Sequence, residues 1–284
     1  MNLPCNLLLS PLHIEYHDGE GEPLLFIHGW GMHSGMWGGV LAQLARQYRV
    51  MAVDLPGHGW SAKKGLLEVV SGKSAEPHMN LTPLTTDYLD SIVEQLAARF
   101  NYPLTVCGWS LGGQIALRWA QRYPQQVVRL ILLSSTPCFV QKPDWLCAME
   151  TGTLLAFSDA LRQDQTVTLR RFVALQVRGS EQERELLTVM RRALFDRGEP
   201  DSVALQQGLA ILRDVDLRSA LSEISAAVLV IAGECDTLTP IAASAYLAEN
   251  LLHARLVTIP RAAHVCFLSH PNVFVKHLVD FLHE

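Results

Sequence analysis

The chain has 284 residues, 49% hydrophobic and 18% charged, with a formal net charge of −5. That is enough apolar material for one large core and too little charge for a disordered chain. The acidic balance argues against a general nucleic-acid binder. No uncharged apolar run reaches the roughly 18–20 residues of a spanning helix, which argues against a membrane-embedded protein. The N-terminal MNLPCNLLLS lacks a basic region before its leucines, so no secretory signal is expected and the predicted location is cytoplasmic. Six scattered cysteines, with no CxxC pair and no clustered Cys/His spacing, predict reduced thiols and no structural metal.

Taken in chain order, short apolar runs alternate with longer segments of helical period. Leu7–Tyr16 reads as an edge strand or hairpin, and Leu24–Ile27 as a strand entering HGWG. Met36–Gln47 follows as a helix, then Arg49–Val53 as a strand ending in DLPGHG. Residues 62–83 are polar, with glycine and two prolines, and predict a long loop. Thr85–Phe100 reads as a helix, Leu104–Cys107 as a strand, Leu111–Arg122 as a helix and Leu130–Leu133 as a strand. Residues 137–220 are helix-rich without clear strands, and predict a helical lid inserted into a core made of 1–136 and 221–284. The pattern then resumes with Val228–Ala232, helix Ile241–Leu251, strand Leu256–Ile259 and helix Pro271–Leu282. This alternation predicts an α/β fold: a mainly parallel sheet, flanked by helices and buried on both faces.

The strongest chemical signal is Gly108-Trp109-Ser110-Leu111-Gly112-Gly113, set between the apolar run LTVC and a helical segment. That strand–turn–helix setting is what a nucleophile elbow requires. Ser110 would stand above the strand ends, and the Leu111 N–H would face a developing oxyanion. A serine needs a base, and the base an orienting acid. His264, in PRAAHVCFLSHP directly after the last strand, is the preferred base. His270, His277 and His283 fall beside or on the final helix, and His253 lies before the strand. Asp236, in AGECD after the fifth apolar strand, is the preferred acid over Asp214, Asp216 and Asp54. His28-Gly29-Trp30-Gly31 can supply the second oxyanion N–H through Trp30, with His28 shaping the loop rather than moving protons. No P-loop or GxGxxG fingerprint is present, so no cofactor is expected.

On these residues the chain resembles the α/β-hydrolases. The stretches SSTPCF at 134–139, RFVALQ at 171–176, ILRDVDLR at 211–218 and AAHVCFLSHP at 262–271 resemble the pimeloyl-[acyl-carrier protein] methyl ester esterases of biotin synthesis. The resemblance implies an α/β-hydrolase fold and cleavage of the carrier-tethered methyl ester with release of methanol. It implies Ser110, Asp236 and His264 as the triad, and Trp30 and Leu111 at the oxyanion. It further implies an acyl channel lined by Phe172, Val173, Ala174, Leu175 and Gln176, together with Trp30, Ser110, Leu111 and His264. Arg171 and Arg184 match carrier-contact positions, and Arg170, Arg178, Arg191 and Arg192 extend the set.

The charges fit a carrier partner. From Arg170 to Arg197 there are seven arginines and four acids, so this stretch carries +3 against −8 elsewhere. Such a patch could steer an acidic protein and hold a phosphate. The competing reading is a solvated helix of intrahelical Glu–Arg pairs. Three rival functions share the scaffold: a broad carboxylesterase or thioesterase, a non-catalytic ligand-binding hydrolase, and a C–C bond hydrolase.

Overall fold

The computed structural model describes residues 11–62 and 85–284. The expected loop at 62–83, apart from Ala62, and the first residues of the expected N-terminal strand lie outside that range. Seven strands form one sheet: β1 (His13–His17), β2 (Pro23–Ile27), β3 (Arg49–Asp54), β4 (Leu104–Trp109), β5 (Val127–Leu133), β6 (Ala227–Gly233) and β7 (Ala254–Ile259). Their order is β1-β3-β2-β4-β5-β6-β7, with β1 antiparallel to β3 and every other pair parallel. All six strands expected from the apolar runs are present, each longer by one to three residues. β2 and the inner strands β4, β5 and β6 are almost wholly buried, which explains their unbroken Leu/Val/Ile character. β7 differs from the expectation of two buried faces. As an edge strand it has a single neighbour, and four of its residues are half-exposed.

The helices are α1 (Gly39–Leu44), α2 (Thr85–Arg99), α3 (Leu111–Arg122), α4 (Thr151–Gln163), α5 (Gln165–Val177), α6 (Glu183–Ala193), α7 (Ser202–Asp214), α8 (Ile241–Asn250), α9 (Cys266–Ser269) and α10 (Pro271–Leu282). The helix expected over Met36–Gln47 is instead a 3-10 turn, Ser34–Trp37, followed by α1. Gly38 breaks it, at φ 59°, a left-handed conformation that glycine adopts without strain. α1 packs on α10, while α2 packs on α3 and α8 lies against β6 and β7, so helices cover the sheet.

The helical insertion between β5 and β6 carries α4 to α7. Its two stems are tied together. Cys138 bridges to Asp216, the Leu217 N–H donates to the Pro137 carbonyl at 2.9 Å, and Lys142 pairs with Asp216 at 2.9 Å. Arg218 pairs with both Asp144 and Asp216 and lies over the Trp145 ring. Asp164 and Asp201 cap α5 and α7 by accepting first-turn N–H groups, which satisfies donors the helix start leaves unpaired. Among the described residues no helix is long and apolar enough to cross a membrane.

Candidate active site

The chain passes from β3, on one side of β2, to β4 on the other. A ligand crevice in such a sheet opens at the carboxyl ends of the strands where the winding reverses. The loop after β2 (His28–Gly31) and the elbow after β4 (Ser110) meet there. A Cβ on Gly29 would stand 3.3 Å from the Ser110 Cβ.

The elbow is tight because three backbones converge on it. A Cβ on Gly108 would sit 2.3 Å from the Gly112 carbonyl oxygen, and one on Gly112 would sit 2.3 Å from that of Ile27. Only glycine allows this approach, which explains the spacing around the serine. Ser110 itself holds φ 56° and ψ −118°, a strained conformation for a residue with a side chain. Its N–H donates to the Leu133 carbonyl at 2.9 Å, and the Ser135 hydroxyl donates to the Ser110 carbonyl at 2.8 Å. These bonds hold the strain in place. Leu111 opens α3, so its N–H belongs to the set without an intrahelical partner.

His264 and Asp236 are brought together. His264 Nδ1 lies 2.8 Å from Asp236 Oδ2, with both side chains buried. A carboxylate accepts there, so the proton belongs on Nδ1 and Nε2 presents its lone pair. The His264 N–H donates to the Gln176 carbonyl at 3.1 Å, and the Trp109 indole donates to the His264 carbonyl at 3.2 Å. The second bond links the histidine loop to the residue before Ser110. Asp236 also accepts from Leu238 N at 2.9 Å, Thr239 N at 3.0 Å and Thr239 Oγ1 at 2.7 Å. Burial pushes the Asp236 carboxyl up, but the adjacent His264 and these donors outweigh it and hold it below the usual range. Ser110 Oγ and His264 do not share a hydrogen bond among the described residues.

The alternatives lie elsewhere. Asp214 pairs with Arg213 and accepts from Thr85 at 2.7 Å, and Asp216 is bound into the stem. His270 contacts Glu181 at 3.0 Å, His283 contacts Tyr48 at 3.2 Å, and His253 precedes β7. Asp54 is buried, accepting from Ser34 N at 2.6 Å and Trp60 N at 2.9 Å. His28 donates from Nδ1 to the Gly29 carbonyl at 2.8 Å and accepts the Leu55 N–H on Nε2 at 3.0 Å. Burial, with His58 nearby, lowers its pKa to about 3. It is a neutral loop brace. Among the described residues no group of three or more His, Cys, Asp or Glu could hold a metal ion.

A small apolar cavity of about 50 Å³ lies between core and insertion, walled by Trp30, Phe139, Phe157, Phe172, Leu175 and Leu238 among others. Trp30 is edge-on to Phe157 and Phe172, with centroids 5.4 and 5.0 Å away, and its indole donates to the Leu205 carbonyl at 2.9 Å. Of the five consecutive residues expected to line an acyl channel, Phe172 and Leu175 lie on this wall. Three residues apart, they share one helix face. Val173 is fully buried in the core, and Ala174 is half-buried and outside the wall. Gln176 is buried; its carbonyl accepts from His264 and its amide nitrogen approaches Met32 Sδ at 3.9 Å. Phe157, Leu238 and Thr239 carried no signal in the sequence: Phe157 and Leu238 reach the wall through packing of distant segments, and Thr239 lies in a stretch that reads as an ordinary turn into a helix.

The arginines divide. Arg170, Arg171, Arg178, Arg184, Arg191 and Arg192 are exposed, and among the described residues none of them forms an ion pair. Glu181 turns instead to Arg261 and His270, and Glu183 accepts from Gly179 N, so the intrahelical Glu–Arg pairs of the competing reading are not formed. Arg197 departs from the patch. It pairs with Glu15, lies 3.7 Å from Asp54, donates to Ser34 Oγ at 2.6 Å and covers the Trp60 ring at 4.0 Å.

Fold and elbow together define an α/β-hydrolase, and the family profile described as alpha/beta hydrolase fold matches residues 22–271. Among solved structures, an esterase from Exiguobacterium antarcticum superposes with a TM-score of 0.79 at 24% identity, covering 97% of this chain and 98% of that one. A bromoperoxidase from Bacillus anthracis gives 0.79 at 19% identity, over 96% and 95%. At that identity they show the fold alone. In sequence the chain is 42% identical over 269 residues to the pimeloyl-[acyl-carrier protein] methyl ester esterase of Nitrosomonas europaea, covering 94% of this chain and 98% of that protein. It is 40% identical to the enzyme of the same name from Nitrosospira multiformis, over 93% and 95%. The chain belongs to the pimeloyl-[acyl-carrier protein] methyl ester esterase family.

Proposed function

We propose that the chain is a serine carboxylesterase that hydrolyses the methyl ester of a pimeloyl chain carried on acyl-carrier protein, releasing methanol in biotin synthesis. Kinship at 42% identity over nearly the full chain supports the substrate. The observation that carries the chemistry is the buried His264–Asp236 pair, 2.8 Å apart, at the strand ends where Ser110 crests its elbow.

In this mechanism His264 Nε2 takes the Ser110 proton as Oγ attacks the ester carbonyl. The Leu111 and Trp30 N–H groups bind the tetrahedral oxyanion, at no reorganisation cost because the strained elbow already aims the first of them. His264 returns the proton to departing methoxide. It then activates water, which opens the pimeloyl-serine. Asp236 holds the imidazole in its Nδ1–H tautomer and stabilises the imidazolium. Phe172, Leu175 and Trp30 pack the acyl methylenes, and no metal or cofactor enters.

The six arginines without ion pairs form the carrier-facing surface: Arg171 and Arg184, which the family resemblance points to, with Arg170, Arg178, Arg191 and Arg192. Their uncompensated charge attracts an acidic partner and a phosphate. The five described cysteines are all free, which suits a reducing cytoplasm.

The test compares methanol release from the carrier-bound methyl ester and from free dimethyl pimelate at equal concentration. Strong preference for the carrier-bound ester, reduced by Arg171→Ala with Arg184→Ala, is the expected result. Equal or faster turnover of the free ester would leave a general esterase and remove the carrier surface.

A further inference from the structure

We propose that Thr239 is a positioning residue for the His264–Asp236 pair, its hydroxyl fixing the carboxylate oxygen that faces the imidazole and drawing charge from it. The inference rests on the reading of Ser110, His264 and Asp236 as nucleophile, base and acid.

Asp236 Oδ2 accepts two bonds, from His264 Nδ1 at 2.8 Å and Thr239 Oγ1 at 2.7 Å. Oδ1 accepts the Leu238 and Thr239 N–H groups at 2.9 and 3.0 Å. A carboxylate offers about four acceptor sites, so every one is filled by protein. The Thr239 hydroxyl also stands 3.4 Å from His264 Nδ1. Both carry one proton, and both protons point to Oδ2, so neither can donate to the other. Thr239 is 1% exposed, and no bulk water can take over its bond.

Two consequences follow. The two N–H groups hold Oδ1, while Oδ2 is held by the imidazole and Thr239, so the hydroxyl is the donor that fixes Oδ2 independently of the imidazole it must orient. A donor on Oδ2 also weakens the pull of that oxygen on an imidazolium. Without it the imidazolium is held more tightly and is a poorer proton donor to the leaving methoxide. The ionisable group beside the pair is Cys266, from α9, whose thiol burial pushes up to about 12 and keeps neutral. The neighbours from α5 and β4, Gln176 and Trp109, carry no charge. The position is invisible in sequence, where TLTP reads as an ordinary turn into a helix.

The experiment measures kcat and KM against pH for Thr239→Val, Thr239→Ala and Thr239→Ser with a free short-chain p-nitrophenyl ester, which involves no carrier. Val and Ala should move the acid limb of the profile up by about half a pH unit and lower kcat by about three- to tenfold, with KM unchanged. Ser should keep both within about twofold of the parent. Having Ala as well as Val keeps the test open if one does not fold. An unmoved acid limb in both hydroxyl-free variants, or an equal kcat loss in Ser and Val, would overturn the proposal and leave the methyl group as packing. Ser110→Ala is run in parallel. Full activity there would overturn the underlying triad reading itself, an outcome distinct from any pattern at position 239.

Discussion

Arg197→Ala should be the most destabilising of the arginine substitutions, although its neighbours in sequence look alike. The side chain is 11% exposed, pairs with Glu15, stands 3.7 Å from the fully buried Asp54 and covers Trp60 at 4.0 Å. A desolvated cation–π contact contributes up to about 2 kcal/mol. A hydrogen bond between charged groups contributes about 1.5–3 kcal/mol. The terms overlap, and Asp54 keeps the Ser34 and Trp60 N–H groups, so a net loss of about 3 kcal/mol is expected. In a chain of this size that lowers Tm by roughly 6–12 °C. Arg191→Ala, at an exposed site without an ion pair, should stay within about 0.5 kcal/mol of the parent. Urea unfolding with a shared m-value reads both. A loss under about 1 kcal/mol for Arg197→Ala would refute the view that it latches the insertion to β1 and β3.

Ser110→Ala should lower kcat by about a million-fold while leaving the fold intact, read by ester turnover and by far-UV circular dichroism. Val173→Ala should lower stability by about 2 kcal/mol with little change in KM, whereas Phe172→Ala should raise KM for acyl esters; equal effects on KM would remove the distinction between core and wall. Stability should fall on acidification. His28, His33 and His58 all have pKa values lowered by burial, so below the unfolded value of about 6.5 the unfolded chain binds protons that the folded chain refuses. Their contribution is complete above that pH and is lost progressively toward the folded value of about 3 for His28. Each such histidine adds about 1.4 kcal/mol per pH unit to the slope. Denaturation series at three pH values check it, and a flat profile between about pH 6 and 4 would contradict it.

The sequence by itself determined the parts whose causes are local. β4, the Ser110 elbow and α3 are contiguous, and their glycines answer to backbones a few residues or one strand away. That is why GWSLGG, the six apolar strands and the helices Leu111–Arg122 and Pro271–Leu282 were legible. His264 and Asp236 were legible because chain order in a parallel sheet sets the strand ends at which they must emerge. Local pattern misled at Met36–Gln47, where helical period ran through Gly38 but its left-handed φ broke the helix, and at β7, whose apolar run lies at an edge.

The tertiary structure alone decided what depends on segments far apart in the chain. Seven arginines look equivalent in sequence, yet only Arg197 meets Glu15, Ser34, Asp54 and Trp60, up to 182 positions away. Five residues at 172–176 read as one channel, but a helix turns successive side chains about 100° apart, so only Phe172 and Leu175 share the wall with Phe157. Thr239 bonds Asp236 within the turn after β6, but that local bond became part of a site only because the loop after β7 brings His264 against the same carboxylate. Charge and periodicity belong to neighbours in sequence; burial and partnership belong to neighbours in space.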